Sequence, residues 1–300
     1  MRHFLLATGL IAGLTHPVFA FDTAECGEIE SQIYTILDAE FGWEVTQSPT
    51  STVEARPGAC SVTDLEIYVQ DLGVRYTARA ASLLAPEAMD WVRGDVILPA
   101  TVSLEILDVV IDTEFGVPDD LAWLVPVSAD SISLHSSWDE ATQALSLRSL
   151  RIDLGDGNFV GVALDGVAAG WQPYVLEAEN FALLDLSVDI GFNGLFEQAI
   201  APPIEANGND LSPASMAFFA AMADGLLASA PQRVISPETR VEIVDFLRTL
   251  PTPRGTLALS LNNDQPFLPG RIFEDLRTGI PVDIAIPDRL TLTADWTPAN

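Results

Sequence analysis

Apolar and polar residues alternate through most of the chain after residue 60. The cleanest run is residues 184–192, in which Leu, Val, Ile and Phe occupy the even positions and Asp, Ser and Gly occupy the odd ones. Successive side chains of a β-strand point to opposite faces, so this pattern predicts strands with one buried and one solvated face. The same alternation predicts a hairpin over residues 65–80 and a three-stranded meander over residues 130–169. One-sided alternation is typical of antiparallel sheets.

Val102, Leu104 and Ile106 predict a further strand, and the apolar set changes phase within this strand and within one strand of the meander. One change follows Ile106, where Leu107 begins a new apolar series, and the other lies near Arg148. A β-bulge inserts one residue and has this effect, so we predict a bulge at each point. Residues 46–59 are rich in Ser, Thr, Pro and Gly, and this composition predicts a loop.

Helical spacing dominates in three places. At the first, Asp22 and Glu25 have the spacing of a capping box and are followed by isoleucines at helical intervals. Residues 212–230 and 236–250 each begin with Ser-Pro, which is an N-cap followed by proline at the first helical position. These two segments predict an αα pair. Residues 212–230 are alanine-rich and nearly uncharged, which favours burial against the sheet. The alternative is a mobile cover over an apolar groove, or a surface for a partner.

Residues 1–20 have the features of a secretory signal peptide. Arg2 is followed by an apolar run that is too short to anchor in a bilayer, and Val18 and Ala20 stand at the −3 and −1 positions of a cleavage site. We therefore expect cleavage before Phe21, export to the periplasm and no stable membrane insertion afterwards.

The chain contains two cysteines, Cys26 and Cys60. In an exported protein this predicts one disulfide, because the compartment is oxidising and neither a CxxC motif nor a neighbouring histidine indicates another role. Closing a loop of about 35 residues stabilises the fold by about 3–4 kcal/mol in the chain-entropy model.

Together these patterns predict an α+β protein. Its core is a large curved antiparallel β-sheet covered on its apolar face by helices, and the disulfide ties the N-terminal helix to the sheet. After the signal peptide of residues 1–20, residues 21–300 are expected to form a single antiparallel-sheet-rich domain with a helical insertion at about 212–250.

Composition narrows the range of partners. The chain has 43 acidic residues against 14 arginines and no lysine, which gives a formal net charge of −29. With 48 % hydrophobic and only 19 % charged residues, it has the composition of a folded protein. A surface of this charge repels nucleic acid and anionic membranes, so neither is expected as a partner.

Candidate catalytic chemistry is sparse. Beyond the signal peptide the only histidine is His135, which lies on the polar face of a predicted strand, and there is no Gly-x-Ser-x-Gly motif. One histidine and a paired set of cysteines leave no zinc site, and we predict no metal and no cofactor. Calcium at the acidic turns near Asp156 or Asp210 stays open as an alternative.

Several segments resemble a family of uncharacterised exported proteins of alphaproteobacteria. They are the run Leu184–Ile190, the helix beginning at Ser236-Pro237, its end over Phe246–Pro251 and the strand Gly255–Leu261. In addition, the hairpin block 130–169 is similar in style to AsmA-like envelope proteins. That resemblance implies a long curved antiparallel sheet and a role in envelope maintenance or lipid handling. Unlike AsmA-like proteins, the chain is expected to keep no membrane anchor, and the resemblance implies no functional residue.

The function expected from these features is that of a non-enzymatic periplasmic envelope protein, which binds a lipid or other hydrophobic ligand or an envelope partner. The alternatives are a hydrolase of envelope polysaccharide that uses paired carboxylates, and a structural interaction module. The candidate hydrophobic lining consists of strand and helix residues that share the apolar face: Leu184, Leu186, Val188, Ile190, Phe219, Met222 and Leu226.

Overall fold

The structure is a computed structural model that describes residues 21–41, 51–56, 59–69, 74–96, 98–113, 128–168, 181–278 and 286–299. Its strands are β1 (Thr52–Arg56), β2 (Ala59–Val69), β3 (Val74–Leu84), β4 (Thr101–Thr113), β5 (Ala129–Asp139), β6 (Ala144–Gly155), β7 (Asn158–Ala168), β8 (Phe181–Asn193), β9 (Arg254–Phe267) and β10 (Thr291–Pro298). Its α-helices are α1 (Thr23–Phe41), α2 (Ala88–Arg93), α3 (Ala201–Ala206), α4 (Pro213–Ser229), α5 (Pro237–Thr249) and α6 (Pro269–Arg277).

The ten strands form one sheet in the order of the chain, and each strand is antiparallel to its neighbours. The predicted fold class is therefore confirmed. The hairpin over residues 65–80 corresponds to β2 and β3, and the meander over residues 130–169 corresponds to β5, β6 and β7. Four of the connections, those from β1 to β2, β2 to β3, β5 to β6 and β6 to β7, span only two to four residues, and antiparallel neighbours need only such a tight connection.

Helices cover the sheet at its two ends. At the N-terminal end α1 packs on β1, β2 and α2, and the disulfide between Cys26 and Cys60 joins α1 to β2 as predicted. At the other end α5 packs against β10, and α4 packs on α5. Both helices begin as expected, since Ser212 accepts a hydrogen bond from the Ser215 N–H and Ser236 accepts one from the Thr239 N–H.

The change of phase near Arg148 is a β-bulge, as predicted. The pairing of β6 shifts by one residue against β5 between His135 and Ser136, and it also shifts against β7 between Leu147 and Leu150. The extra residue rotates the later apolar positions of β6 back toward the core face.

The bulge predicted after Ile106 was wrong. Ala80 pairs with Leu107 and Ala78 pairs with Val109 in one unbroken register. The apolar positions nevertheless change face, because Asp108 has a left-handed φ of 52°, and Asp64 on β2 has a φ of 55°. Left-handed residues turn the following side chains without inserting a residue.

The loop predicted over residues 46–59 was wrong for the part that the structure describes. Residues Thr52–Arg56 form β1, which pairs with β2. A five-residue strand at the edge of a sheet carries too few apolar positions for its alternation to be recognised against Ser, Thr and Pro.

The predicted signal peptide, residues 1–20, lies outside the described residues. Across the described ranges, no helix combines the length and the apolar character needed to cross a bilayer.

Candidate binding site

Helix α1 forms the roof of an apolar groove at the N-terminal end of the sheet. The helix begins with the predicted capping box, in which the Glu25 N–H donates to Asp22 Oδ1 at 2.9 Å and the Asp22 N–H donates to Glu25 Oε2 at 3.0 Å. From that start, positions three and four residues apart share one helix face. This face turns Cys26, Ile29 and Ile33 toward the sheet.

The floor of the groove consists of four neighbouring strands, β2 to β5. Alternation directs every second side chain of each strand toward α1. Cross-strand pairing then aligns these side chains in rows, as Leu83 with Leu104 and Leu104 with Leu134. The aliphatic side chains of the floor include Val62, Leu65, Ala81, Leu104, Ile106 and Leu134.

Between roof and floor lies a partly open cavity of about 400 Å³, which we call the α1 groove. Ligand pockets in proteins commonly have volumes of about 300–1,000 Å³ and are lined mainly by apolar side chains. The surface that faces the α1 groove is almost entirely carbon. An apolar molecule can therefore leave water here without losing hydrogen bonds.

One acidic side chain, Glu30, belongs to the wall of the α1 groove. It is only 6 % exposed, and the Tyr34 hydroxyl donates a hydrogen bond of 2.7 Å to its Oε1 atom. The two residues are four apart on α1, so they share a helix face. Burial raises the pKa of the Tyr34 phenol, and the hydrogen bond to Glu30 and the charge of that carboxylate raise it further.

Glu30 was not among the site residues predicted from the sequence. Its position four residues after Cys26, on the same helix face as Ile33, was the available indication. An acid within an apolar stripe is unusual, because a carboxylate is rarely buried without a partner.

The α1 groove is lined by none of the seven residues proposed from the sequence. The four on β8 have separate surroundings. Leu184 lines a shallow depression beside Trp138, whereas Leu186 packs against the buried Leu183 and Phe267. Val188 pairs with Val162 on β7 and with Leu259 on β9.

Ile190, the fourth of them, packs against a set of buried residues that we call the C-terminal cluster. Its members are Phe192, Leu195, Phe196, Ala201, Leu211, Leu257 and Trp296. This part of the strand face is filled by side chains.

The three residues proposed on α4 lie at the surface. Phe219 is 42 % exposed, Met222 is 47 % exposed and Leu226 is 65 % exposed. Helix α4 contacts mainly α5; it buries Ala220, and its Met216 packs against the C-terminal cluster. The predicted αα pair is confirmed, and the expected burial of α4 against the sheet was wrong for most of the helix.

His135 lies on the solvated face of β5, where its Nδ1 atom is 2.9 Å from the Ser103 hydroxyl. Arg148 and Ser149 border the same shallow depression. His135 on β5 and Ser103 on β4 are partners in the sheet. The backbone N–H groups of these strands are therefore used in strand pairing and do not converge on one point, as the donors that stabilise a reacting oxyanion do. The arrangement is that of an exposed histidine on a strand.

The acidic turns are engaged in local hydrogen bonds. The Asp210 carboxylate accepts hydrogen bonds from both hydroxyls of Ser212 and Ser215, and the Asp153 carboxylate accepts one from the Gly155 N–H. Among the residues that the structure describes, no group of three or more His, Cys, Asp or Glu side chains is placed to hold a metal ion.

No family model matches the sequence, and no curated protein matches it.

Proposed function

We propose that this is a non-enzymatic periplasmic envelope protein that binds a lipid-like hydrophobic ligand in the α1 groove. The observation that carries the proposal is the carbon-lined cavity of about 400 Å³ between α1 and strands β2 to β5. Protein interiors are close-packed, so an apolar cavity of this size is a costly feature unless a ligand fills it.

The chemistry of the groove favours binding over catalysis. The described residues of its lining include no histidine, both of its cysteines are joined in the disulfide, and its one carboxylate, Glu30, is engaged by the Tyr34 hydroxyl. A reaction would need a nucleophile or a general base at the ligand, whereas binding needs only shape and apolar surface.

The disulfide supports the proposed location. It joins the roof to the floor of the groove and forms in oxidising compartments such as the periplasm. Export can be tested directly, by expressing the full chain in a Gram-negative host and sequencing the N-terminus of the protein from the periplasmic fraction. The proposal requires a chain that begins at Phe21. Retention in the cytoplasm with residues 1–20 attached contradicts it.

Ligand binding can be tested by filling the groove with a side chain. Ala81 faces the groove, and its neighbour Ala80 is on the opposite side of β3. We expect the wild-type protein to increase the fluorescence of N-phenyl-1-naphthylamine, an apolar dye. Ala81→Phe should abolish the increase, and Ala80→Phe should retain it. Native mass spectrometry of the purified periplasmic protein should also show a bound apolar molecule that organic extraction removes.

Two results would overturn the proposal. One is a wild-type protein that neither carries an extractable molecule nor binds the dye. The other is dye binding that Ala81→Phe and Ala80→Phe reduce equally, since that pattern places the dye elsewhere on the protein.

A further inference from the structure

The polar part of the α1 groove consists of one pair of side chains. Glu30 is the charged residue among those that line the groove, and Tyr34 is the residue that donates to it. Among the described residues, the donor to this carboxylate is the Tyr34 hydroxyl, which binds the Oε1 atom. A small number of placed polar groups in an apolar pocket usually determines which head group a ligand carries.

The pair offers hydrogen-bond acceptors and no free donor. An ionised carboxylate only accepts, and the single O–H of Tyr34 is used on Glu30 Oε1. Since burial and Glu30 raise the pKa of Tyr34, its phenol keeps this proton at neutral pH. Ser82 lies between Ala81 and Leu83, which face the groove, so strand alternation directs its hydroxyl to the other face.

We infer that the ligand of the α1 groove is a single-chain amphiphile whose head group donates hydrogen bonds, an ammonium or a hydroxyl, and that the groove rejects carboxylate heads. This inference rests on the proposed binding function. The apolar chain occupies the carbon-lined cavity, and the head group donates to Glu30 Oε2 and to the lone pairs of the Tyr34 oxygen.

Charge strengthens the discrimination. A ligand carboxylate would bring a second negative charge next to a carboxylate that is only 6 % exposed, where water screens it poorly. The net charge of −29 also repels a carboxylate head group, at longer range. An ammonium head, in contrast, places a positive charge beside the Glu30 carboxylate.

The experiment uses three ligands with the same alkyl chain: decylamine, decanol and decanoate. Their affinities are measured by displacement of N-phenyl-1-naphthylamine from the wild-type protein, Glu30→Gln and Glu140→Gln. Glu140 is exposed on the turn after β5, so its variant changes the net charge equally and leaves the groove intact. Circular dichroism confirms the fold of each variant.

For the wild-type protein we expect decylamine and decanol to bind at least about tenfold more tightly than decanoate. Glu30→Gln should reduce the ratio of amine to acid by about tenfold or more, because the amide removes the charge and adds a donor for a carboxylate. Glu140→Gln should leave the ratio within about twofold of wild type, as expected for an exposed charge.

The outcomes separate the two proposals. If all three ligands bind equally to the wild-type protein, or if Glu140→Gln changes the ratio as much as Glu30→Gln, the head-group inference is overturned and groove binding stands. If none displaces the dye, the head-group inference is overturned, and groove binding is decided separately by the effects of Ala81→Phe and Ala80→Phe on dye binding. Should Glu30→Gln not fold, Tyr34→Phe replaces it: removing the internal donor should raise the preference for amine over acid, and an unchanged or lower preference overturns the inference.

Discussion

The two ends of the sheet bury similar strand faces with different results. At the N-terminal end the floor below α1 consists of aliphatic and alanine side chains, and a cavity of about 400 Å³ is left. At the other end Phe192, Phe246 and Trp296 pack with ring centroids 5.1–6.4 Å apart. This difference shows that the alternation of apolar and polar residues determines which face of a strand is buried. The volume of the buried side chains then determines whether the space beneath a helix is filled.

The ends of the sheet also differ in how their strands are fastened. The buried Asn158 side chain accepts hydrogen bonds from the N–H groups of Asn193 and Leu195, which holds the chain as it leaves β8. The Trp296 N–H donates to Glu242 on α5 at 3.1 Å. By contrast, α1 is held by the disulfide and by apolar contacts with α2 and β1. Hydrogen bonds therefore stabilise the position of the strands near the C-terminal cluster, whereas one covalent bond attaches the roof of the groove to the sheet.

The largest effect should come from truncating the filled core. Phe192→Ala should lower the free energy of unfolding by about 3–5 kcal/mol, because it creates a cavity among aromatic rings. Leu104→Ala in the groove should cost about 2 kcal/mol, at the low end for this substitution, because the space beside Leu104 already exists. Urea denaturation measures both, and equal costs would contradict the comparison.

Removing the disulfide should destabilise only the N-terminal end of the sheet, where α1 lies. The double variant Cys26→Ala and Cys60→Ala should lose about 3–4 kcal/mol of stability. Hydrogen exchange should show faster exchange in α1 than in the wild-type protein, with α5 unchanged. Equal acceleration in α1 and α5 would show that the two ends do not unfold independently.

Enlarging a buried alanine should have different effects in the α1 groove and in the C-terminal cluster. Ala81→Leu places three additional carbons in the groove and should change stability by less than about 1 kcal/mol. Ala201→Leu places the same carbons in the C-terminal cluster and should destabilise by about 1–3 kcal/mol. Thermal melts of the two variants provide the measurement, and a larger loss for Ala81→Leu would mean that the groove is closed to added volume.

The smallest effect concerns the start of α4. Hydrogen bonds from the Ser215 hydroxyl, then from the Ser212 hydroxyl and N–H, lower the pKa of Asp210. Its folded pKa lies below the unfolded value of about 3.9, so its contribution is present above that pH and is lost as the pH falls through the folded pKa. Asp210→Asn should therefore lower the melting temperature slightly at neutral pH, and the difference from wild type should shrink in acid. A difference that is independent of pH would contradict this assignment.

Much of the fold could be predicted because its causes are local. Alternation identified the strands from β2 to β8, the capping box located the start of α1, and Ser-Pro located the starts of α4 and α5. The disulfide followed from two cysteines in a chain expected to be exported. The errors arose where a local pattern has two structural explanations, as at Asp108, where a left-handed residue replaced the predicted bulge.

The candidate site was less predictable. Leu184, Leu186 and Ile190 follow one alternating pattern, yet they contact three different sets of neighbours. Phe219 and Leu226 were expected to face the sheet, but α4 contacts mainly α5. Which helix covers which strands depends on contacts between segments far apart in the chain, and no local pattern contains that information.

The sequence by itself determined the antiparallel meander, the buried face of its strands, the helix starts and the pairing of Cys26 with Cys60, since each depends on residue type and short-range spacing. Only the tertiary structure decided that α1 stands over aliphatic strands with space beneath it, while aromatic rings fill the opposite end. Packing depends on the volumes of side chains brought together from distant segments. For the same reason, only the tertiary structure placed Glu30 in the wall of an apolar cavity.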